Sequence, residues 1–421
     1  MAVTRQRLPL YALLAANAIS MIGNMLTFVA VPWFVLQSTG SATKTGITVA
    51  VGSVPIIIAG IFGGAIIDRM GHKRASVVSD LASGVTVMLI PLLHHTIGLQ
   101  YWQLLVLVFL GAILDAPGET ARRSIFPDLA ERAGMPLERA NAIYQIMSRF
   151  AGLLGPPLAG LLIAILGASN VLWIDAVTFG ASALIVAAGV PRLAPAKVVE
   201  EEEAPPSRYL QEVAEGFRFI RRERLVSWMV ITMSVGSLIA EPLYAVILPV
   251  YANQVFGSAV DLGLMFAALA AGSLAGNGLY IAFGTRIPRR PMMIGGFAIR
   301  ALSFWVLVTM PSLEVIAAAI FINALFLEPV NPLYMTIMQE RVPARMRGRV
   351  FGASMAIAMS TRPLGMIGYG YLLEATSLQT TLIFLASVNL LLPLGMLLVP
   401  AFHAMEKPLR RPETERAARV P

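Results

Sequence analysis

Six charged residues interrupt long apolar runs: Asp115, Arg149, Glu241, Arg300, Glu328 and Arg362. In hydrocarbon each costs roughly 2.5–3.5 kcal/mol on insertion scales, so each needs a partner, water or a task. A carboxylate in that position suits proton chemistry. It takes up a proton when dry and releases it when water or a cation approaches. Asp115, Glu241 and Glu328 are therefore the proton-carrying candidates, with Arg149, Arg362 and Arg300 as buried charge partners. A shift of 213 residues carries Asp115 onto Glu328 and Arg149 onto Arg362. That suggests two symmetry-related acid–base pairs, which would also serve as plain structural ties between helices. Glu241 has no related base; a shift of 217 residues sets the neutral Asn24 opposite it. A buried acid with no base is the most readily protonated, so Glu241 is the first choice for a coupling group.

The elements that hold these residues are read from hydropathy. About 20 apolar residues span the ~30 Å hydrocarbon core as a helix. Twelve runs qualify: 8–37, 45–67, 75–93, 101–120, 137–166, 171–190, 225–255, 262–283, 292–310, 313–339, 350–373 and 378–402. They are too long and continuous for barrel strands, and lipid leaves the backbone no third choice. The fold class is an all-α membrane protein. Composition agrees, with 57% hydrophobic and 13% charged residues.

The cations between the runs alternate sharply. Arg5 and Arg7, then Arg69, Lys73 and Arg74, then Arg122, Arg123, Arg132 and Arg139 fall on one side, as do the basic residues of 191–224, 286–290, 341–349 and the tail. The other side holds only Lys44. The positive-inside rule puts both termini in the cytoplasm. The net charge of +8 then reflects topology rather than a nucleic-acid footprint. The first apolar run is too long for the core of a cleaved signal peptide. There is no Cys, and the four His do not form a ligand set, so no metal site is expected.

The halves repeat. The shift of 213 also lays Arg149-x-x-Gly152-x-x-Gly155 on Arg362-x-x-Gly365-x-x-Gly368, and that of 217 lays Pro32, Ser41 and Gly46 on Pro249, Ser258 and Gly263. Three parts follow: a six-helix bundle at 1–190, a linker with an amphipathic helix at 191–224, and a second bundle with its tail at 225–421. Two parallel repeats imply a transporter with its site between them at mid-membrane. Asn24, Phe28, Tyr144, Met147, Tyr244, Phe326 and Tyr334 are candidates for an adaptable cavity lining.

The segment Gly64-Ala-Ile-Ile-Asp68-Arg69-Met70-Gly71-His72-Lys73-Arg74 resembles the signature loop of the major facilitator superfamily, with His72 where Arg is usual. Gly152-Leu-Leu-Gly155-Pro156-Pro-Leu-Ala-Gly160 resembles the Gly-Pro motif of its antiporters, with Ala159 in place of a second Gly. Pro127-Asp128-Leu129, Glu215-Gly216-Phe217-Arg218-Phe219 and Arg345-Met-Arg347-Gly348-Arg349-Val350 are similar to the drug:proton antiporter branch, which holds macrolide exporters, enterobactin-type siderophore exporters and Tap-type multidrug pumps. The resemblance implies twelve helices in two pseudo-symmetric six-helix bundles, the major facilitator fold. It implies a conformational latch of Gly64, Asp68, Arg69, Gly71 and Lys73, with Asp68 against the eleventh helix's N-terminus.

The expected function is proton-coupled export of amphipathic drug-like molecules, by alternating access, across a bacterial cytoplasmic membrane. The alternatives are export of a siderophore or other secreted metabolite, or a lipid carrier. The expected partners are a small-molecule substrate, protons and the bilayer, with a monomeric chain, no nucleic acid and no cofactor beyond the proton gradient. No phosphate-cradling Gly-x-x-x-x-Gly-Lys motif, Gly-x-Ser-x-Gly elbow or His-Glu-x-x-His is present, so neither direct ATP use nor an enzyme is expected.

Overall fold

The computed structural model describes residues 2–191 and 206–406, without the side chains of 2–6, 56–69, 206–213 and Thr285. Among these residues every regular element is helical: α1 (Ala2–Thr39), α2 (Ala42–Met70), α3 (His72–Thr96), α4 (Tyr101–Arg132), α5 (Leu137–Leu166), α6 (Ala168–Gly189), α7 (Pro206–Arg222), α8 (Arg224–Pro242), α9 (Leu248–Tyr251), α10 (Ala259–Phe283), α11 (Arg289–Val308), α12 (Leu313–Leu327), α13 (Val330–Arg341), α14 (Arg347–Ala375) and α15 (Leu378–Leu398). Eleven spans among the described residues are long and apolar enough to cross a bilayer. With the 29-residue α2 beside them, the count agrees with twelve. The protein is an all-α, multi-pass membrane protein.

Prolines and glycines shape the helices. Pro242 and Pro249 each remove a backbone donor and crowd the preceding turn, and the span from Arg224 to Phe256 absorbs them in π turns at Leu243–Ile247 and Ala252–Phe256. Glu241 thus ends a regular helix and opens onto a widened one. Pro329 lies between α12 and α13, leaving Glu328 at the break. Between α2 and α3 the chain turns on Gly71 alone, at φ +77°, a conformation that strains any residue bearing a Cβ.

Two compact units are described separately. The first comprises Met1–Glu201, Ala240–Ala270 and Arg362–Thr381, so it takes in parts of the second repeat beside all six helices of the first. Its centre is α1, packed on α5 and α6, while α3 lies against α4 and α6. A buried polar cluster ties four of these helices. Arg122 donates from Nη1 to Asp80 Oδ1 at 2.5 Å and from Nε to Asn17 at 2.8 Å, and Ser182 donates to Asp80 Oδ2 at 2.7 Å. Hydropathy places Arg122 in a loop; instead α4 runs on to Arg132 and Arg122 is buried. The reason is amphipathicity: beyond the apolar run, Ala121, Ile125, Phe126 and Leu129 still present a stripe for packing.

Two backbone crossings join repeat to repeat inside this unit. A Cβ on Gly46 of α2 would overlap the Met366 carbonyl of α14, and one on Gly160 of α5 would overlap the Ala259 carbonyl of α10. Small residues at such points are what allow helices to touch. At the first crossing Glu374 caps α2, accepting from Ser41 Oγ and, at 3.0 Å, from the Thr43 amide.

The second unit comprises Glu202–Ile239, Ala271–Thr361 and Leu382–Pro421. Val226, Met229, Phe297, Leu333, Met338 and Val350 form its core. Arg300 on α11 is buried there, with Nη2 donating to the Gly236 carbonyl at 3.1 Å and its guanidinium 5.8 Å from the Phe304 ring centroid. The amphipathic helix expected in the linker is α7. Gly216 meets the α14 backbone, Glu215 pairs with Arg349 at 2.5 Å, Ile220 is buried and Phe217 is exposed. Tyr209, Leu210 and Val213, on which that expectation also drew, lie outside the described side chains.

Candidate functional site

Within the first unit, stripes from seven segments surround a cavity of about 360 Å³. Asn24, Thr27, Phe28 and Val31 recur at the 3, 4 and 7 spacing of one helix face on α1. Leu107, Gly111 and Asp115 do so on α4, Asp175 and Phe179 on α6, and Arg362 and Met366 on α14. Glu241 enters from the end of α8 and Ala245 from the π turn after it. The walls are mostly apolar, with the polar groups gathered at a few points, the usual build of a small-molecule site.

Those polar groups are short of cations. Arg362 Nη2 lies 3.3 Å from Glu241 Oε1, with side-chain exposures of 33% and 38%. This is a loose, partly wetted pair, longer than a strong charge-assisted bond. Arg362 Nε is buried without a partner among the described residues. Asp115 Oδ2 accepts from Asn24 Nδ2 at 3.4 Å, and its Oδ1 is buried without a partner among the described residues. Asp175 is fully buried; Thr27 Oγ1 lies 2.5 Å from its Oδ2, and Thr178 Oγ1 lies 3.0 Å from its Oδ1. Three carboxyl groups and one guanidinium thus line the same cavity, and the guanidinium meets Glu241. If all ionised, two negative charges would stand uncompensated at membrane depth, an expensive arrangement.

The symmetry-derived pairs are corrected here. The ion-pair partner of Arg362 is Glu241, so Glu241 is not an acid without a base. Arg149 is exposed, and Asp115 bonds Asn24 instead. The buried face of α5 carries Ala151, Gly155, Ala159 and Ile163. Arg149, two residues before Ala151, lies about 200° round the helix from it. Glu328 is half-buried at the α12–α13 break in the second unit, and no side-chain bond engages it among the described residues. Of the expected lining residues, Asn24 and Phe28 border this cavity. Tyr144 and Met147 pack against the α1–α4 core, and Tyr334 against that of the second unit. Phe326 lines a separate apolar pocket of about 520 Å³ with Tyr280 and Met292. From the first π turn it is Ala245, not Tyr244, that borders the cavity.

The family model for the Major Facilitator Superfamily matches residues 13–284 and 237–421. The chain belongs to that superfamily. The multidrug efflux pump Tap of Mycolicibacterium fortuitum is 32% identical over 409 residues, covering 95% of this chain and 98% of that one. Macrolide efflux protein A of Streptococcus pyogenes is 20% identical, covering 86% and 88%. The crystal structure of the nucleoside transporter NupG superposes with a TM-score of 0.74 over 94% of this chain and 99% of that chain; at 12% identity it shows the fold alone. This facilitator is therefore a membrane transporter of a small molecule.

Its signature loop is described in part. Gly64, Asp68 and Arg69 fall in the stretch whose side chains lie outside the described residues. Lys73 donates to the Ala187 carbonyl at 2.7 Å, near the C-terminus of α6, where the helix dipole favours a cation. In the antiporter-like motif the glycines differ. A Cβ on Gly155 would meet the Met25 side chain at 2.5 Å, Gly160 lies at the α5–α10 crossing beside the buried Pro156 stretch, and Gly152 has open space around it. Gly160→Leu is expected to lose about 1–3 kcal/mol by overpacking, whereas Gly152→Ala should melt like the wild type. Thermal melts of the two purified variants check this contrast, and equal losses would mean the motif is not a contact surface.

Hydropathy reading passes over Asp80 and Asp175 as well as Arg122. All three stand near the ends of their expected spans, where a charge is readily ascribed to the interface. The available signal was an acid inside an apolar run at Asp175, within Val-Leu-Trp-Ile-Asp175-Ala-Val.

Proposed function

We propose that this facilitator exports amphipathic, drug-like small molecules in exchange for protons, by alternating access. The observation that carries the reading is the cavity: apolar walls to take a lipophilic body, and three carboxyl groups against one guanidinium. A cation entering would replace protons as the counter-charge, and a proton entering would displace the cation. Competition for one set of acids is antiport by mass action. The printed names of the relatives, a multidrug efflux pump and a macrolide efflux protein, support the substrate class. Glu241 and Asp115 are the proposed coupling acids, with Arg362 biasing Glu241. Glu328 and Arg149 are assigned no part in the exchange. The proposed moving bodies are the two repeats, 1–190 and 225–421, joined by 191–224, in a monomeric chain of the bacterial cytoplasmic membrane. Asp68 is proposed to latch these bodies with Gly71 as its hinge.

The decisive test is accumulation of a fluorescent lipophilic cation in a pump-deficient bacterium. Cells making the protein should hold less dye than controls, and a protonophore should abolish the difference. Dye efflux that persists at full rate with the gradient collapsed would refute the exchange. Orientation has its own check. Both termini and the linker should face the cytoplasm, since that side holds nearly all the loop cations. Glu202→Cys in this cysteine-free chain should stay unlabelled by an impermeant maleimide in intact cells and react after lysis.

A further inference from the structure

Among the described residues, two hydroxyls, of Thr27 and Thr178, supply the side-chain hydrogens for Asp175. Thr178 Oγ1 lies 2.8 Å from the backbone carbonyl oxygen of Asp175 and 3.0 Å from its Oδ1. A threonine hydroxyl has one hydrogen to donate. With an ionised Asp175, that one hydrogen is divided between the two oxygens in a weakened three-centre contact or leaves one of them unserved. A proton on Oδ1 resolves both contacts. The carboxyl then donates to Thr178 Oγ1, Thr178 donates to the backbone carbonyl, and Thr27 donates to Oδ2 at 2.5 Å.

The surroundings agree with a neutral acid. Asp175 has no exposed surface. Among the described residues, the charged groups on α3, α4 and α14 that border it or its cavity are paired or of like sign. On α3 and α4, Asp80 and Arg122 satisfy one another, and Asp115 on α4 is an acid. Arg362 on α14 is paired with Glu241. On α1 the neighbours are neutral: Asn24, Thr27 and Gly23, whose missing side chain leaves the space that Thr178 Oγ1 and Asp175 Oδ1 fill. An ionised carboxylate without a cation there is strongly disfavoured.

Asp175 also borders the cavity that holds Asp115 and Glu241. Resting on the exchange reading above, we infer that Asp175 is a further proton-carrying group of the transport cycle. Its proton sits on Oδ1 toward Thr178. When a lipophilic cation enters, the Oδ1–H bond breaks, the proton leaves to cavity water, and the carboxylate remains as counter-charge to the cation. The site is thus matched to cationic cargo by two acids of the first repeat, Asp115 and Asp175, besides Glu241.

Infrared difference spectroscopy of the purified full chain in lipid tests this, first by pH steps with no substrate, then with tetraphenylphosphonium as the probe cation. The wild type should show the C=O stretch of a protonated, buried carboxyl that shifts in deuterium oxide. Asp175→Asn should remove that band, and Thr178→Val should move it, which keeps the test open if the first variant folds poorly. Binding of tetraphenylphosphonium should bleach the band, and Asp175→Asn should release about one proton fewer per chain than the wild type. A band unchanged in Asp175→Asn, or an unchanged proton count, overturns the inference. The pH steps need no transport, so a band that is present while export ignores the protonophore would overturn the exchange reading instead.

Discussion

Replacing Arg122 by Gln is expected to lower stability by about 3–5 kcal/mol, the cost of leaving one partner of a buried ion pair alone. Arg122 is 3% exposed and Asp80 is fully buried, so solvent offers the orphan no relief. Without the guanidinium, Asp80 keeps the Ser182 hydroxyl as its one partner among the described residues, and Asn17 loses the Arg122 donor. Asp80→Asn should lose a comparable amount by stranding the guanidinium. The double variant Asp80→Leu, Arg122→Met should melt above either single variant, because no uncompensated charge remains. Thermal melts of the wild type and these variants in one detergent give the order directly. Simply additive losses would show that the pair does not act as a unit. The consequence reaches the cavity, since Asp115 lies two turns before Arg122 on α4, and this cluster is what fixes α4 against α1, α3 and α6.

Glu241→Gln is the second large effect, and it falls on transport rather than on folding. The Glu241–Arg362 pair is long and more than a third exposed at the acid, so its loss should leave the melting temperature nearly unchanged. The cavity, however, becomes more positive by a full charge. Binding of tetraphenylphosphonium should weaken by at least about tenfold, or 1.4 kcal/mol, and keep only the pH dependence that Asp115 and Asp175 supply, while a neutral probe of similar size should bind as before. Proton-driven uphill export should stop. Arg362→Gln should shift cation binding the other way. Calorimetry on the purified variants and dye efflux in cells read the two limbs. If Glu241→Gln keeps full protonophore-sensitive efflux, coupling rests on Asp115 and Asp175, and Glu241 only balances Arg362.

Much of this molecule is legible along the chain because the signals are local. Apolar length against bilayer thickness yields helices that cross a membrane. The depth of Asp115 and Glu241 in their runs, with Asn24 and Phe28 on the first, picks out four residues that do border one cavity. An intramembrane acid is costly wherever its helix packs, so its mere presence is informative.

Pairing is another matter. Arg149 and Arg362 occupy the same place in the repeat, yet one is exposed and the other meets Glu241. Which face of a helix turns inward depends on its neighbours, and a residue or two decides between core and surface. Arg122 belongs to the interior because a continuing apolar stripe carries α4 beyond its hydrophobic run, and Asp80 is waiting there from a helix 42 residues away in sequence. Asp175 acquires its role from a single glycine on α1 and two hydroxyls set around one carboxyl group. Such arrangements rest on distances of about 3 Å between separate helices. Hydropathy and periodicity describe one helix at a time, so the chemistry of the cavity is decided only when the helices are brought together in their final rotation.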